Sequence, residues 1–228
     1  IAHGISTMTN HQAVFDAHPD WFAVYGGKTD FKPGYSKCQV CYSNDELFHE
    51  TVRWARTLLD TYQFETVSIM PPDGYTANCQ CEKCKGKDSP RRNERGLLSD
   101  HVWDFVNRVA KEVGKTHPNK RISNLAYGIY TEPPSNIDKL EPNVQVIIVG
   151  GRRPTSEDRE DLRRLRADWD QKVQTPIEIF ENYPFTGRGY YLPAYQPRLL
   201  GQSINETKGQ SRGEDIWLTM DFGDNAIG

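Results

Sequence analysis

Two acidic side chains stand where a sugar-cleaving pair would have to stand. Asp73 follows the β-rich run Thr66–Met70 across Pro71-Pro72, and Glu181 closes the run Pro176–Phe180. Glycoside hydrolysis uses two carboxyl groups: one protonates the leaving oxygen, and the other attacks or activates water. Asp73 and Glu181 are therefore the expected catalytic pair, with Asp221 in Asp221-Phe222-Gly223-Asp224 as a third acid. Ordinary alternatives stand beside these roles, because Asp-Gly makes turns and a strand-end Glu takes salt bridges. His3, Tyr75, Tyr127, Tyr130, Arg152, Asn182 and Tyr183 lie at or near strand ends as expected substrate-binding residues. Aromatic faces stack on sugar rings, while amide and guanidinium edges bond hydroxyls or a carboxylate. Glu178 is set aside, because strand alternation turns it away from Glu181.

Five cysteines form a second constellation, Cys38-x-x-Cys41 and Cys79-x-Cys81-x-x-Cys84. Cys81-Glu82-Lys83-Cys84 has knuckle spacing, and Cys38 or Cys41 can complete four thiolates around zinc. The expected set is Cys41, Cys79, Cys81 and Cys84, holding structural zinc or, in an exported chain, paired as disulfides with one thiol left over. A closed four-thiolate site leaves no position for water, so catalysis requires no cofactor. Either form would brace the loop that carries Asp73.

These residues need elements to position them. Candidate strands are Ala2–Thr7, Thr66–Met70, Ile122–Tyr127, Val144–Val149, Pro176–Phe180 and Ile216–Met220. Asn44 caps a helix whose apolar positions run from Leu47 to Leu59. Ser99 or Asp100 opens a second, with Val102, Phe105, Val106, Val109, Ala110 and Val113 at helical spacing. Thr155–Asp170 is a third, with a thin apolar face suited to the surface. Strands alternating with helices imply parallel βαβ units. The expected fold class is α/β, of (β/α)8 TIM-barrel type, incomplete here because six strands are visible where a barrel takes eight. A β-hairpin insertion is expected near residues 22–37, turning at Gly26-Gly27. The chain, 1–228, reads as one domain, an internal piece of a longer protein because it opens at Ile1 with no initiator Met.

Bulk properties narrow the function classes. There are 28 Lys and Arg against 31 Asp and Glu, for a net charge of −3, with no basic stripe to attract nucleic acid. No apolar run approaches the roughly 20 residues of a membrane-spanning helix. Eleven Tyr and five Trp, several beside Gly, Pro or Asn, suit a glycan binder.

Longer motifs carry a resemblance. Pro71-Pro72-Asp73-Gly74, the Cys79–Cys84 cluster, Ser99-Asp100, Phe105–Ala110, His117–Lys120 and Leu125-Ala126-Tyr127 together resemble the bacterial DUF4838 family. His18–Ala23, Cys41–Asn44, Pro133-Pro134 and Pro142-Asn143-Val144 extend the likeness over nearly the whole chain. The resemblance implies a secreted or periplasmic glycosidase-type barrel, similar to alpha-glucuronidase and hexosaminidase barrels, acting on oligosaccharide or polysaccharide. It implies for some members an endo-beta-N-acetylglucosaminidase activity on complex glycans. Asp73 and the cysteine cluster match the family pattern, Glu181 matches it more loosely, and Cys38 is an addition. Hexosaminidases with substrate-assisted catalysis carry an adjacent Asp-Glu pair at a strand end, which is absent here. The leading expectation is a glycoside hydrolase; the alternatives are a non-catalytic carbohydrate-binding barrel and a zinc-stabilised interaction module.

Overall fold

The computed structural model describes residues 3–32, 37–88, 94–150, 156–181 and 197–216. Its centre is a five-stranded, wholly parallel sheet: β3 (Thr66–Ser68), β4 (Arg121–Ala126), β5 (Val144–Gly150), β6 (Ile177–Glu181) and β7 (Ser211–Ile216). Each strand is added beside the one before it. Right-handed crossovers then put every connecting helix on one face, whereas a reversal of strand order would put helices on both. The sheet is thus wound in one direction, as a barrel wall is.

Register separates the two faces. Val67, Ile122 and Val144 share a row, and Val146, Ile148, Ile177 and Ile179 continue the same side. All are buried in the main core. The helices that cover this face are α3 (Asp45–Tyr62) and α4 (Ser99–Gly114), which pack on each other. The opposite face presents Ser68, Ser123, Gln145 and Glu178 to a cavity of about 250 Å³, walled on its other side by Trp54, Leu58 and Phe64.

Local chemistry explains the helices. The Asn44 side chain accepts the Leu47 N–H at 2.9 Å, and Asp45 and Glu46 follow in the first turn, where the helix dipole favours acids. The Asn44 amide also donates to the Asp20 carboxylate at 2.8 Å, which ties the preceding segment to the cap. In α4 the buried positions Val102, Phe105, Val106, Val109, Ala110 and Val113 keep the expected period. The third helix, α5 (Ser156–Asp170), has a thin apolar face but not a superficial one. Leu165 and Trp169, one turn apart, are fully buried, and Trp169 meets Trp103 edge-on at 4.6 Å. Each indole N–H donates to a backbone carbonyl, Trp103 to Tyr130 and Trp169 to Thr131, so neither ring is buried with an unmet donor.

The hairpin forms as expected. β1 (Val24–Tyr25) and β2 (Lys28–Thr29) pair antiparallel, and Gly26 and Gly27 both take positive φ, 56° and 74°. That backbone matches the twist of the flanking strands and favours glycine.

A further expectation is corrected. Gly4–Thr9 is a helix, α1, rather than the strand expected at Ala2–Thr7, so His3 is not a strand residue. Ile5, Met8 and Thr9 are buried at helical spacing, and α1 docks beside β3, with the Ile5 N–H donating to the carbonyl of Met70, two residues past that strand, at 3.3 Å. Gly4 permits this approach, since a Cβ there would stand 1.7 Å from the Ser68 carbonyl oxygen. The last strand among the described residues is Ser211–Ile216, and the expected strand Ile216–Met220 lies outside them beyond Ile216. It is polar because it pairs with one strand among those described, so the apolar signal that marks buried strands is missing. A helix, α6 (Pro197–Glu206), precedes it unannounced by any long apolar period. Among the described residues no helix is long and apolar enough to cross a membrane.

Two substitutions test this packing. Gly4→Ala should destabilise the chain by at least about 1–3 kcal/mol, the usual cost of overpacking. Asn44→Ala should cost about 1 kcal/mol through the lost cap. Both are read as denaturant midpoints; an unchanged midpoint for Gly4→Ala would show that α1 is not seated on β3.

Candidate functional site

Two chain segments meet beyond the carboxyl end of β3. One descends from the hairpin through residues 37–41; the other is the loop 70–84.

Their sulfurs converge first. Cys41, Cys79, Cys81 and Cys84 place their Sγ atoms within 4.8 Å of one another, and the cluster could hold a metal ion. Cys41 Sγ lies 3.6 Å from Cys81 Sγ and 3.5 Å from Cys84 Sγ. Four sulfurs at about 2.3 Å from a tetrahedral metal stand roughly 3.8 Å apart, whereas a disulfide holds its sulfurs at about 2.05 Å. All five cysteines are free thiols in this structure. Cys41, not Cys38, completes the set. Cys38 is buried apart from it, and its sulfur accepts the Lys32 N–H at 3.3 Å.

Polar groups surround the sulfurs. Cys79 Sγ accepts the Val24 N–H at 3.3 Å and the Cys81 N–H at 3.5 Å. Hydrogen bonds from the Cys41 and Cys84 thiols, and then those two backbone donors, drive the Cys79 thiol far below the ordinary thiol range. It is the natural thiolate of the cluster, while Cys41, its hydrogen-bond partner, is driven up. Nothing in the spacing of the sequence marks His101, yet its Nε2 lies 4.0 Å from Cys84 Sγ. Burial pushes the His101 imidazole down to about 4, so it is neutral at pH 7, able to support a sulfur without adding charge.

The second meeting point is Asp73. Lys37 Nζ lies 2.6 Å from Asp73 Oδ2, and the Gly74 N–H donates to Oδ1 at 2.9 Å. Gly74 sits at φ 77°, a turn conformation that glycine adopts without strain. His3 Nε2 lies 3.9 Å from Asp73 Oδ1, while its Nδ1 is 2.7 Å from the Pro71 carbonyl oxygen. That oxygen can only accept, so Nδ1 carries the proton of the bond and Nε2 faces the carboxylate. His3 holds φ 56°, a left-handed backbone uncommon for a residue with a Cβ. The Tyr127 ring stands edge-on to His3 at 6.4 Å and is 37% exposed. The Lys37 ammonium is the main reason that the Asp73 carboxyl is held below its ordinary value; burial opposes it, and the Lys37 and His3 charges assist.

Gln39 ties the two segments together and has no signature in the sequence. Its buried amide nitrogen donates to the carbonyls of Asp73 at 2.8 Å, Lys37 at 3.0 Å and Pro72 at 3.3 Å. A cavity of about 270 Å³ opens beside it, lined by Tyr25, Asp30, Lys37, Gln39, Asp73 and Thr76 among others.

The other expected residues divide. Tyr75 is 5% exposed and Tyr130 1%, with rings 6.2 Å apart in the core beneath the site. They support the loop from below and do not line its open surface. Glu181 occupies the last position of β6, paired with Gly150 and Ile216. Its side chain, together with Arg152, Asn182, Tyr183 and Asp221, lies outside the described residues. Glu178 is on the cavity face of the sheet, with Arg212 Nε at 3.8 Å.

The family model described as "Domain of unknown function (DUF4838)" matches residues 2–210. No curated protein matches the chain. Among solved structures, a variant of the GH36 alpha-galactosidase AgaA from Geobacillus stearothermophilus, in complex with 1-deoxygalactonojirimycin, aligns at 10% identity with a TM-score of 0.45, covering 91% of this chain and 27% of that one. A second variant of the same enzyme, in complex with stachyose, aligns at 10% identity and a TM-score of 0.36, covering 86% and 29%. The chain therefore spans under a third of either structure.

The Asp73 ion pair has a signed consequence for stability. Its carboxyl titrates below the ordinary 3.8, so the unfolded chain takes up that proton first as the pH falls. The stabilisation is full above that value and disappears as the pH drops through the folded one. Solvent screening keeps the effect small. Denaturant midpoints should therefore fall less steeply in Asp73→Asn than in the unaltered chain as the pH drops below about 4; equal slopes would show that the pair is not formed.

Proposed function

We propose that this chain, which belongs to the DUF4838 family, binds and cleaves glycans at the carboxyl ends of its parallel strands. The observation that carries this reading is the gathering of Asp73, His3, Lys37 and Tyr127 beyond β3, beside an open cavity. One-directional winding supports treating the five strands as part of a (β/α)8 barrel, whose chemistry sits at that rim. The chain is then one barrel domain of a longer, secreted or periplasmic protein. Glu181 is the partner carboxylate, at the end of β6. Carboxyl groups about 5 Å apart would retain the anomeric configuration, and a gap of roughly 6.5–9.5 Å would invert it. Complex glycans containing N-acetylglucosamine are the first substrates to try, because the family resemblance implies them for some members.

The state of Asp73 assigns its role within the pair. A carboxylate bonded to a lysine ammonium and a backbone N–H stays ionised and is a poor proton donor, which leaves it the anionic roles of the pair or that of a hydroxyl ligand. Asp73 is then the anion of the pair and Glu181 the acid. Asp73→Asn and Glu181→Gln should each lower sugar release by at least about 100-fold, measured by mass spectrometry of digested glycans. Full activity in both variants would sink the assignment. The same ion pair supports a second reading, a non-catalytic glycan binder in which Asp73 holds a sugar hydroxyl. That reading requires saturable oligosaccharide binding, lost in Asp73→Asn, with no turnover by the unaltered chain.

Zinc is the metal that four thiolates favour, and we assign it a structural role. Cys41, Cys79, Cys81 and Cys84 would hold it, and every ligand position would be filled by protein. Elemental analysis of protein purified under reducing conditions should find one zinc per chain, and chelation should lower the thermal midpoint. Metal content unchanged in both Cys41→Ser and Cys84→Ser would place the ion elsewhere.

A further inference from the structure

The four-cysteine centre and the Asp73 carboxylate are built from the same two stretches of chain. Residues 37–41 carry Lys37, Gln39 and Cys41; residues 72–84 carry Asp73, Cys79, Cys81 and Cys84. At one end the stretches meet through sulfur, with Cys41 Sγ 3.5 Å from Cys84 Sγ. At the other they meet through Gln39, whose amide bonds the Pro72 and Asp73 carbonyls, and through the Lys37–Asp73 ion pair.

The approach to the hairpin is the spacer between them. The Ala23 N–H donates to the Gln39 carbonyl at 2.9 Å, and the Cys41 N–H donates to the Trp21 carbonyl at 2.8 Å. On its other side the Gln80 N–H donates to the Val24 carbonyl at 2.8 Å, and the Val24 N–H reaches Cys79 Sγ. Residues 21–24 are thus bonded to both stretches at once. Gln39 is two residues from Cys41, no more than about 7 Å of chain. A displacement of Cys41 therefore reaches the Gln39 amide with little slack to absorb it.

We propose that the cysteine centre is a positioning device: a metal held by its four sulfurs locks residues 37–41 against the loop 72–84, and Gln39 and Lys37 transmit that lock to the place of the Asp73 carboxylate. Without a metal, only weak sulfur hydrogen bonds hold the four thiols within 4.8 Å of one another. The sulfurs separate, Gln39 loses its carbonyl partners, and Lys37 leaves Asp73. Gln39 and Lys37 are positioning residues here. The coupling rests on zinc occupancy, and its effect on turnover rests on the carbohydrate reading.

The test is the carboxyl titration of Asp73, followed by ¹³C NMR in the full chain and assigned with Asp73→Asn. The titratable groups that face it are Lys37 and His3, with Tyr130 further off. In zinc-loaded protein it should titrate below ordinary aspartate. Removing zinc with a chelator under reducing conditions should raise it by about as much as Lys37→Met does, and stripping Lys37→Met should add nothing. Gln39→Ala, which keeps every charge, should raise it part of the way with zinc still bound. Far-UV circular dichroism reports whether the stripped chain stays folded. If it unfolds, the zinc-loaded Gln39→Ala chain decides. A titration unchanged by stripping in a folded chain, or unchanged in zinc-loaded Gln39→Ala, overturns the proposal, as does failure of the chain to bind zinc. The titration uses no sugar, so absence of glycan binding and turnover would overturn the carbohydrate reading alone.

Discussion

One buried side-chain amide holds the candidate site together. Gln39 donates to the carbonyls of Lys37, Pro72 and Asp73, three acceptors from two different segments. Pro71 and Pro72 have no N–H with which to continue a strand ladder, and their carbonyls accept from side chains. Those donors are supplied here by His3 to Pro71 and by Gln39 to Pro72. The loop that presents Asp73 is thus held from both flanks by polar side chains, and the cysteine cluster closes its far end.

The sheet sets where this loop stands. One face of the parallel strands is aliphatic and sealed by α3, α4 and the Trp103–Trp169 pair; the other keeps Ser68, Ser123, Gln145 and Glu178 beside a cavity. The crossover helices of a sheet wound in one direction lie on the first face, so the polar side chains of the second meet a cavity, walled by Trp54 and Leu58 of α3 and by Phe64, rather than a packed core. The carboxyl ends of the strands then open at the same rim as Asp73, with α1 held against β3 by the close approach that Gly4 allows.

Electrostatics decides what Asp73 can do there. An ammonium and a backbone N–H on its two oxygens stabilise the anion and leave no reason for it to hold a proton. The His101 imidazole shows the opposite balance, where burial outweighs every favourable charge and keeps the ring neutral beside Cys84. The two groups carry opposite lessons about solvent: Asp73, in its loop, keeps access to water and its charge, and His101, in α4, loses both.

Much was legible from the sequence alone. The caps and apolar periods of α3 and α4, the Gly26-Gly27 hairpin and four of the five sheet strands follow from local propensity and patterning, which act over a few residues. The cysteine spacing likewise singled out Cys79, Cys81 and Cys84, because close ligands need short loops. Other features depended on contacts between distant residues. Ala2–Thr7 reads as a strand until Ile5 and Met8 are seen buried on one side of a helix, with Gly4 against Ser68. The polar strand Ser211–Ile216 carries no apolar signal. Gln39 and Lys37 are ordinary polar residues until the fold brings them to a loop more than thirty residues away. Tyr75 and Tyr130 looked like ligand-facing aromatics, and only packing decided that they lie beneath the site. Sequence determined which residue types were at hand and which short elements they form; tertiary structure decided which of them meet, because hydrogen bonds, ion pairs and metal geometry depend on distance in space, not on separation along the chain.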